Sequence, residues 1–267
     1  MFAVGYLALE WTGLLLLTVT WLFYKGPKLI DETRAIQSWW ANQLFRMGRY
    51  LCSLRVEVTG GDTIPGPSAL LLVRHTSLTD TILPLVLFAK LRVEGLRYVM
   101  KKELQNLPCL DIAGSRLPNA FIDRSGENTE REVDAVRELT RTASAQESVL
   151  IYPEGTRKTQ RKQAQLTQTR PDLRDQLRRW PDLLPPRFGG PTVMLQVNPA
   201  KDIVFMAHTG FESSARLRDL LDGSFRGQPV RVHFWRIAFT DIPGDHKTFI
   251  VDQWDRIQAT ITHLNDS

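Results

Sequence analysis

Ala69-Leu-Leu-Leu-Val-Arg-His-Thr-Ser-Leu-Thr-Asp80 decides the fold. Its unbroken apolar run, Ala69 to Val73, follows the turn-forming cluster Gly60, Gly61, Pro65, Gly66 and Pro67. A short apolar run bounded by turn signals reads as a strand buried on both faces, which requires helices above and below it. The strand ends at His75, and Asp80 follows five positions later, where a helix over 79–91 is expected despite Pro84. A carboxylate there can accept a hydrogen bond from one imidazole nitrogen and fix the tautomer, so that the other nitrogen can take a proton. No GxSxG elbow or reactive cysteine lies nearby to supply a covalent nucleophile. The proton then comes most simply from a substrate hydroxyl. On its own the pair reads equally well as a capped structural histidine or as two metal ligands.

Outward from this stretch, Val56 to Thr59, Leu96 to Met100, Ala120 to Ile122, Ser148 to Tyr152, Ile203 to Ala207 and Val230 to Phe239 read as further strands. Glu127 to Thr142 carries Val133, Val136 and Leu139 at helical spacing, and Lys247 to Leu264 reads as a closing helix. Strands alternating with helices predict an α/β fold with a mixed central sheet flanked by helices. No internal repeat or low-complexity tract interrupts it.

The amino terminus has a different character. From Phe2 to Tyr24 the only charge is Glu10. As a helix this segment is roughly 35 Å long, enough for a hydrocarbon core of about 30 Å. A basic leader and a small-residue cleavage site are both missing, so it reads as an anchor rather than a signal peptide. Trp11, Trp21 and Tyr24 suit a membrane interface, and Lys25 and Lys28 just beyond place the rest of the chain on the cytoplasmic face. Glu10 leaves open whether the segment spans or enters one leaflet. Ile36, Trp40, Leu44, Met47, Leu51 and Leu54 form one stripe of a helix over 33–54, with Arg34, Arg46 and Arg49 on its other faces. This helix suits either an anionic leaflet or the core.

The expected organisation is an anchor over 1–30, an amphipathic interfacial helix over 31–55, and a catalytic domain over 56–267 containing a basic insertion at 157–190. Within the 267 residues and formal charge of +5, residues 157–187 hold nine basic side chains against three acidic ones. Arg174, Arg178 and Arg179 near Trp180 are candidates for a membrane surface, or for a merely solvated helix face. Two cysteines, Cys52 and Cys109, without CxxC spacing indicate neither a disulfide scaffold nor a zinc site.

Two more blocks end in arginine after expected strands: Phe121-Ile-Asp-Arg124 and Tyr152-Pro-Glu-Gly-Thr-Arg157. Strand ends are where α/β sheets collect ligands, and the guanidinium fork matches a phosphate monoester. In this order the blocks resemble the glycerolipid acyltransferase family that includes 1-acylglycerol-3-phosphate acyltransferases. The family's HxxxxD motif matches His75 and Asp80, its FIDR-type block matches Phe121, Asp123 and Arg124, and its PEGTR block matches Pro153 to Arg157. Val99-Met-Lys-Lys-Glu-Leu104 resembles the stretch between the first two, and the likeness covers roughly residues 68–160. The fourth block, an apolar run around a proline, has only approximate counterparts in Val197-Asn-Pro199 and Ile203 to Met206.

The resemblance implies transfer of an acyl group from acyl-coenzyme A or acyl carrier protein to lysophosphatidic acid at a bilayer, with no cofactor and no metal. His75 is the expected base and Asp80 its orienter. Arg124 and Arg157, with Lys102 as a weaker candidate, would bind the acceptor's phosphate, while Glu154, Gly155 and Thr156 shape the site. Thr81 to Ala89 would line an acyl groove or pack in the core. A lipid-binding scaffold on the same fold would keep the arginines without needing His75. A metal-dependent hydrolase would need more ligands than the motif offers, and no nucleic-acid-binding module is recognisable.

Overall fold

A computed structural model describes residues 2–64, 66, 68–77, 79–91, 93, 95–123, 129–212 and 229–266. Its described strands are β1 (Arg55–Thr59), β2 (Leu70–Val73), β3 (Leu96–Lys101), β4 (Ala120–Ile122), β5 (Ser148–Ile151), β6 (Ile203–Thr209) and β7 (Pro229–Ile237). They form one sheet in the order β1-β7-β6-β2-β5-β3-β4. All neighbours are parallel except β6 and β7. The expected α/β fold with a mixed, helix-flanked sheet is therefore the observed one.

Alternation along the strands splits the core in two. Leu71, Val73, Tyr98, Met100, Leu150, Tyr152, Val204 and Met206 face α2 (Gly26–Cys52) and α3 (Leu83–Lys90). Leu70, Leu72, Val149, Ile151, Ile203 and Phe205 face the opposite layer. There they meet α5 (Thr129–Arg141), α8 (Gly189–Gln196) and the closing α9 (His246–Asp266). β2 is fully buried along its length, as its unbroken apolar run requires.

The apolar amino terminus forms α1 (Phe2–Phe23), and the chain reverses at Tyr24-Lys25 into α2. The break therefore falls before residue 30, because Pro27 sits in the first turn of α2, where its missing N–H costs nothing. α1 packs on α2 and on α4 (Pro108–Arg116). On that side Gly13 leaves room for Cys109, whose thiol donates to the Glu10 carbonyl at 3.2 Å, and Arg116 donates to the Leu17 carbonyl at 2.8 Å. Val4, Leu7, Trp11, Leu15, Trp21 and Leu22 stay exposed on the other side. Of the expected stripe, Leu44 and Leu54 are buried while Ile36, Trp40, Met47 and Leu51 are half-buried; Ala41, Phe45 and Cys52 beside it are buried, and Arg34 bonds Glu147, just before β5.

The basic stretch forms α6 (Gln160–Thr169) and α7 (Arg174–Arg179). Trp180 is no surface anchor. It is 1% exposed, donates to Asp255 at 2.8 Å and shares that carboxylate with Arg179. Sequence could not show this partner, 75 residues away on α9. Arg174 and Arg178 do remain exposed.

Candidate active site

The parallel strands β2, β5 and β3 deliver their carboxyl ends to one edge of the sheet, and His75 emerges there two residues after β2. The loop after β5 holds its backbone on both sides: the His75 N–H donates to Glu154 Oε1 at 2.8 Å, and its carbonyl accepts from the Lys158 N–H at 2.9 Å. Asp80 is fully buried. Its Oδ1 lies 2.8 Å from His75 Nδ1, while Oδ2 accepts the Thr76 and Ser77 N–H groups at 2.6 and 2.7 Å. An ionised carboxylate can only accept, so the imidazole proton sits on Nδ1 and the Nε2 lone pair is free for chemistry. Burial alone would raise the Asp80 pKa, but the adjacent His75, then His208 and the Thr76 N–H, outweigh it and hold the group below its ordinary value. The expected orienter and base thus stand in bonding contact. Tyr152 packs its ring on His75, with centroids 4.5 Å apart.

His75 opens onto a cavity of about 250 Å³. Ile82, Leu83 and Leu85 supply one apolar wall, and Tyr6, Trp40 and Leu44 of the α1–α2 hairpin close it. The Thr81 to Ala89 stretch therefore divides: Val86, Leu87 and Phe88 pack in the core while their neighbours line the cavity. Thr156 and Arg157 share the cavity with His75, as the blocks imply. Lys102 is exposed and does not line it; Lys101, one residue earlier, does. Arg124 lies outside the described residues.

Glu154 serves the loop geometry rather than an arginine pair: its second oxygen accepts the Leu184 N–H at 3.0 Å, so one carboxylate ties the His75 loop to the 182–184 segment. Gly155 takes the left-handed conformation, φ 71°, and a Cβ there would lie 2.7 Å from Arg187 Cδ. Its amide donates to the Tyr152 carbonyl, so it is committed to the turn and does not face a reacting oxygen. Among the described residues, no three His, Cys, Asp or Glu side chains gather as metal ligands.

Burial pushes the Glu154 carboxyl up to about 7, against the pull of the His75 N–H, Arg74 and the Leu184 N–H. Between its ordinary value of 4.5 and about 7 the folded chain keeps a proton that the unfolded chain has released. The stability this supplies is complete below 4.5 and disappears as pH rises through 7, a loss of about 3 kcal/mol. Glu154→Gln removes the titration, although its amide nitrogen opposes one backbone donor and lowers stability at every pH. Urea unfolding at pH 5 and 8 should show a smaller decline in the variant than in the native chain; parallel declines would refute the assignment.

Over residues 55–205 the sequence matches the profile of the acyltransferase family. This chain belongs to that family. A solved structure of like fold is the 1-acyl-sn-glycerophosphate (LPA) acyltransferase PlsC from Thermotoga maritima. It aligns over 100% of this chain and 99% of its own, with TM-score 0.58 and 14% identity, which shows a shared fold. No curated protein matches the sequence significantly. Of the two approximate counterparts of the fourth block in this acyltransferase, Ile203 to Met206 lies in β6 beside β2, and Val197-Asn-Pro199 falls in the turn after α8.

Two features of the site escaped sequence reading. Arg74 is 1% exposed beneath the His75–Asp80 turn, and it donates to the His208 carbonyl, to Glu212 at 2.7 Å and to the Asp182 carbonyl at 2.9 Å. His208 is fully buried in β6, which runs two residues beyond the expected Ala207 to Thr209. A charge directly after an apolar strand was the available signal for Arg74; no local pattern marks His208.

Proposed function

We propose that the protein transfers a fatty acyl group from a thioester of coenzyme A or acyl carrier protein to the hydroxyl of lysophosphatidic acid, forming phosphatidic acid. The supporting observation is the joining of the His75–Asp80 pair to a largely apolar cavity that Arg157 also lines. His75 Nε2 takes the proton from the acceptor hydroxyl as its oxygen attacks the thioester carbonyl carbon. The tetrahedral intermediate then collapses, the C–S bond breaks, and the departing thiolate takes the proton from the imidazolium. A positioned base of this kind contributes about 10² to 10⁴ in rate. The apolar cavity suits the acyl chain, and the Arg157 fork suits the acceptor's phosphate.

The acyltransferase works at a membrane in this reading. α1 turns an apolar stripe outward while its other side is held by α2 and α4, so the hairpin enters one leaflet of the cytoplasmic face rather than crossing it. The acceptor assignment is tested with Arg157→Ala. KM for lysophosphatidic acid should rise about 10- to 100-fold, the value of a charged hydrogen-bonded contact, with little change for monoacylglycerol, which has no phosphate. Equal KM values for lysophosphatidic acid in variant and native chain would point to a different lysolipid.

A further inference from the structure

Behind the reacting pair stands a second imidazole, and we infer that His208 is a positioning residue that fixes both ends of the His75-to-Asp80 turn on the central sheet. This rests on His75 and Asp80 being the base and its orienter. His208 Nε2 lies 3.1 Å from the Arg74 carbonyl and 3.6 Å from Asp80 Oδ2, and a carbonyl can only accept. Nε2 therefore carries the proton. One N–H is aimed at the residue preceding the base and, more distantly, at the carboxylate that orients it.

The link is reciprocal. Arg74 donates from its guanidinium to the His208 carbonyl, so residues 74 and 208 are bonded side chain to backbone in both directions. β2 and β6 already pair in register from Leu70 with Ile203 to Val73 with Met206. The two crossed bonds extend that pairing beyond the last residue of β2, where an ordinary strand end would fray. Phe211 holds the other side of the imidazole edge to face, with centroids 5.9 Å apart. A ring so enclosed has little room to turn, which keeps its Nε2 beside the Arg74 carbonyl and Asp80.

Among the described residues, Asp80, Arg74 and Glu212 are the charged groups that act on this ring, with His75, Tyr152 and Glu154 next to them. Burial and the Arg74 guanidinium keep His208 neutral against the opposing pull of Asp80. A neutral N–H facing Oδ2 draws negative charge away from Oδ1. Its loss leaves Asp80 a stronger partner for the imidazolium of His75, so His75 becomes easier to protonate.

His208→Leu removes the N–H while filling most of the volume, and His208→Gln restores a donor near the Nε2 position. Initial rates of acyl transfer to lysophosphatidic acid, measured from pH 5 to 9, should show kcat about tenfold lower in the leucine variant, the value of roughly one hydrogen bond. KM should stay within about twofold of native. The acid limb of kcat/KM should move to higher pH, and His208→Gln should recover most of the rate and the native limb. Should the leucine variant fail to fold, His208→Gln against His208→Asn decides, because the shorter amide mimics Nδ1 and reaches neither acceptor; glutamine should then be the more active. A leucine variant with native kcat and an unmoved acid limb would overturn the inference, as would equal activity of the glutamine and asparagine variants. His75→Ala run alongside separates the two claims: if it is inactive while His208→Leu is native-like, only the role of His208 fails; if it is fully active, the base assignment fails.

Discussion

Asp80→Asn is expected to lower kcat for acyl transfer by about 10³- to 10⁴-fold, the scale seen when a histidine base loses its orienting carboxylate. The reason lies in the acceptor count. In the native chain Oδ2 receives two backbone N–H groups and Oδ1 receives the His75 Nδ1 proton. Asparagine has one carbonyl oxygen and one NH₂ group. If the oxygen stays with the Thr76 and Ser77 amides, the NH₂ faces Nδ1, which must give up its proton to accept. The imidazole proton then moves to Nε2, the atom that should receive the substrate's proton. If the amide flips, two backbone donors lose their acceptor and the turn loosens. Both arrangements remove the base, while the cavity and Arg157 are untouched, so KM for the lysolipid should stay within a few-fold. Steady-state kinetics on folded variant would check this; loss confined to KM would contradict it.

Arg74→Ala should cost about 2 to 5 kcal/mol of stability, the range for truncating a large fully buried side chain. The guanidinium joins the end of β6, Glu212 and the 182–184 segment below the His75–Asp80 turn. Alanine strips two carbonyls of donors, leaves Glu212 without its cation and opens a void where one of the largest fully buried side chains had been. Urea denaturation of the detergent-solubilised protein measures the change. A loss below 1 kcal/mol would mean that this network is ornamental to the fold.

The sheet was legible because its strands obey simple rules. β2 is buried on both faces, and its sequence has no polar residue from Ala69 to Val73. The His75–Asp80 contact was legible because both members lie within six residues, close enough for local geometry to bring them together. Partners far apart in the chain were not. The apolar stripe of α2 suits a leaflet or a core but does not say what packs on the helix, and here its neighbours are α1, α3, α4 and the sheet. Trp180 looked like an interfacial residue because arginines precede it, yet Asp255 on α9 receives both its indole and Arg179. Glu154 shows the same limit: two backbone N–H groups, 79 and 30 residues away, use its two oxygens. His208 is the extreme case, since an imidazole at a strand position has meaning only once Asp80 and the Arg74 carbonyl are found beside it.

The most direct test of the central claim is transfer of labelled acyl groups to lysophosphatidic acid in detergent by the native chain and by His75→Ala, with acyl-coenzyme A and acyl carrier protein each supplied as donor. Native transfer with one of these donors, and none above background from a folded His75→Ala protein, is the expected result. A variant that transfers at the native rate would contradict the claim, as would a native chain inactive with both donors and with every lysolipid supplied.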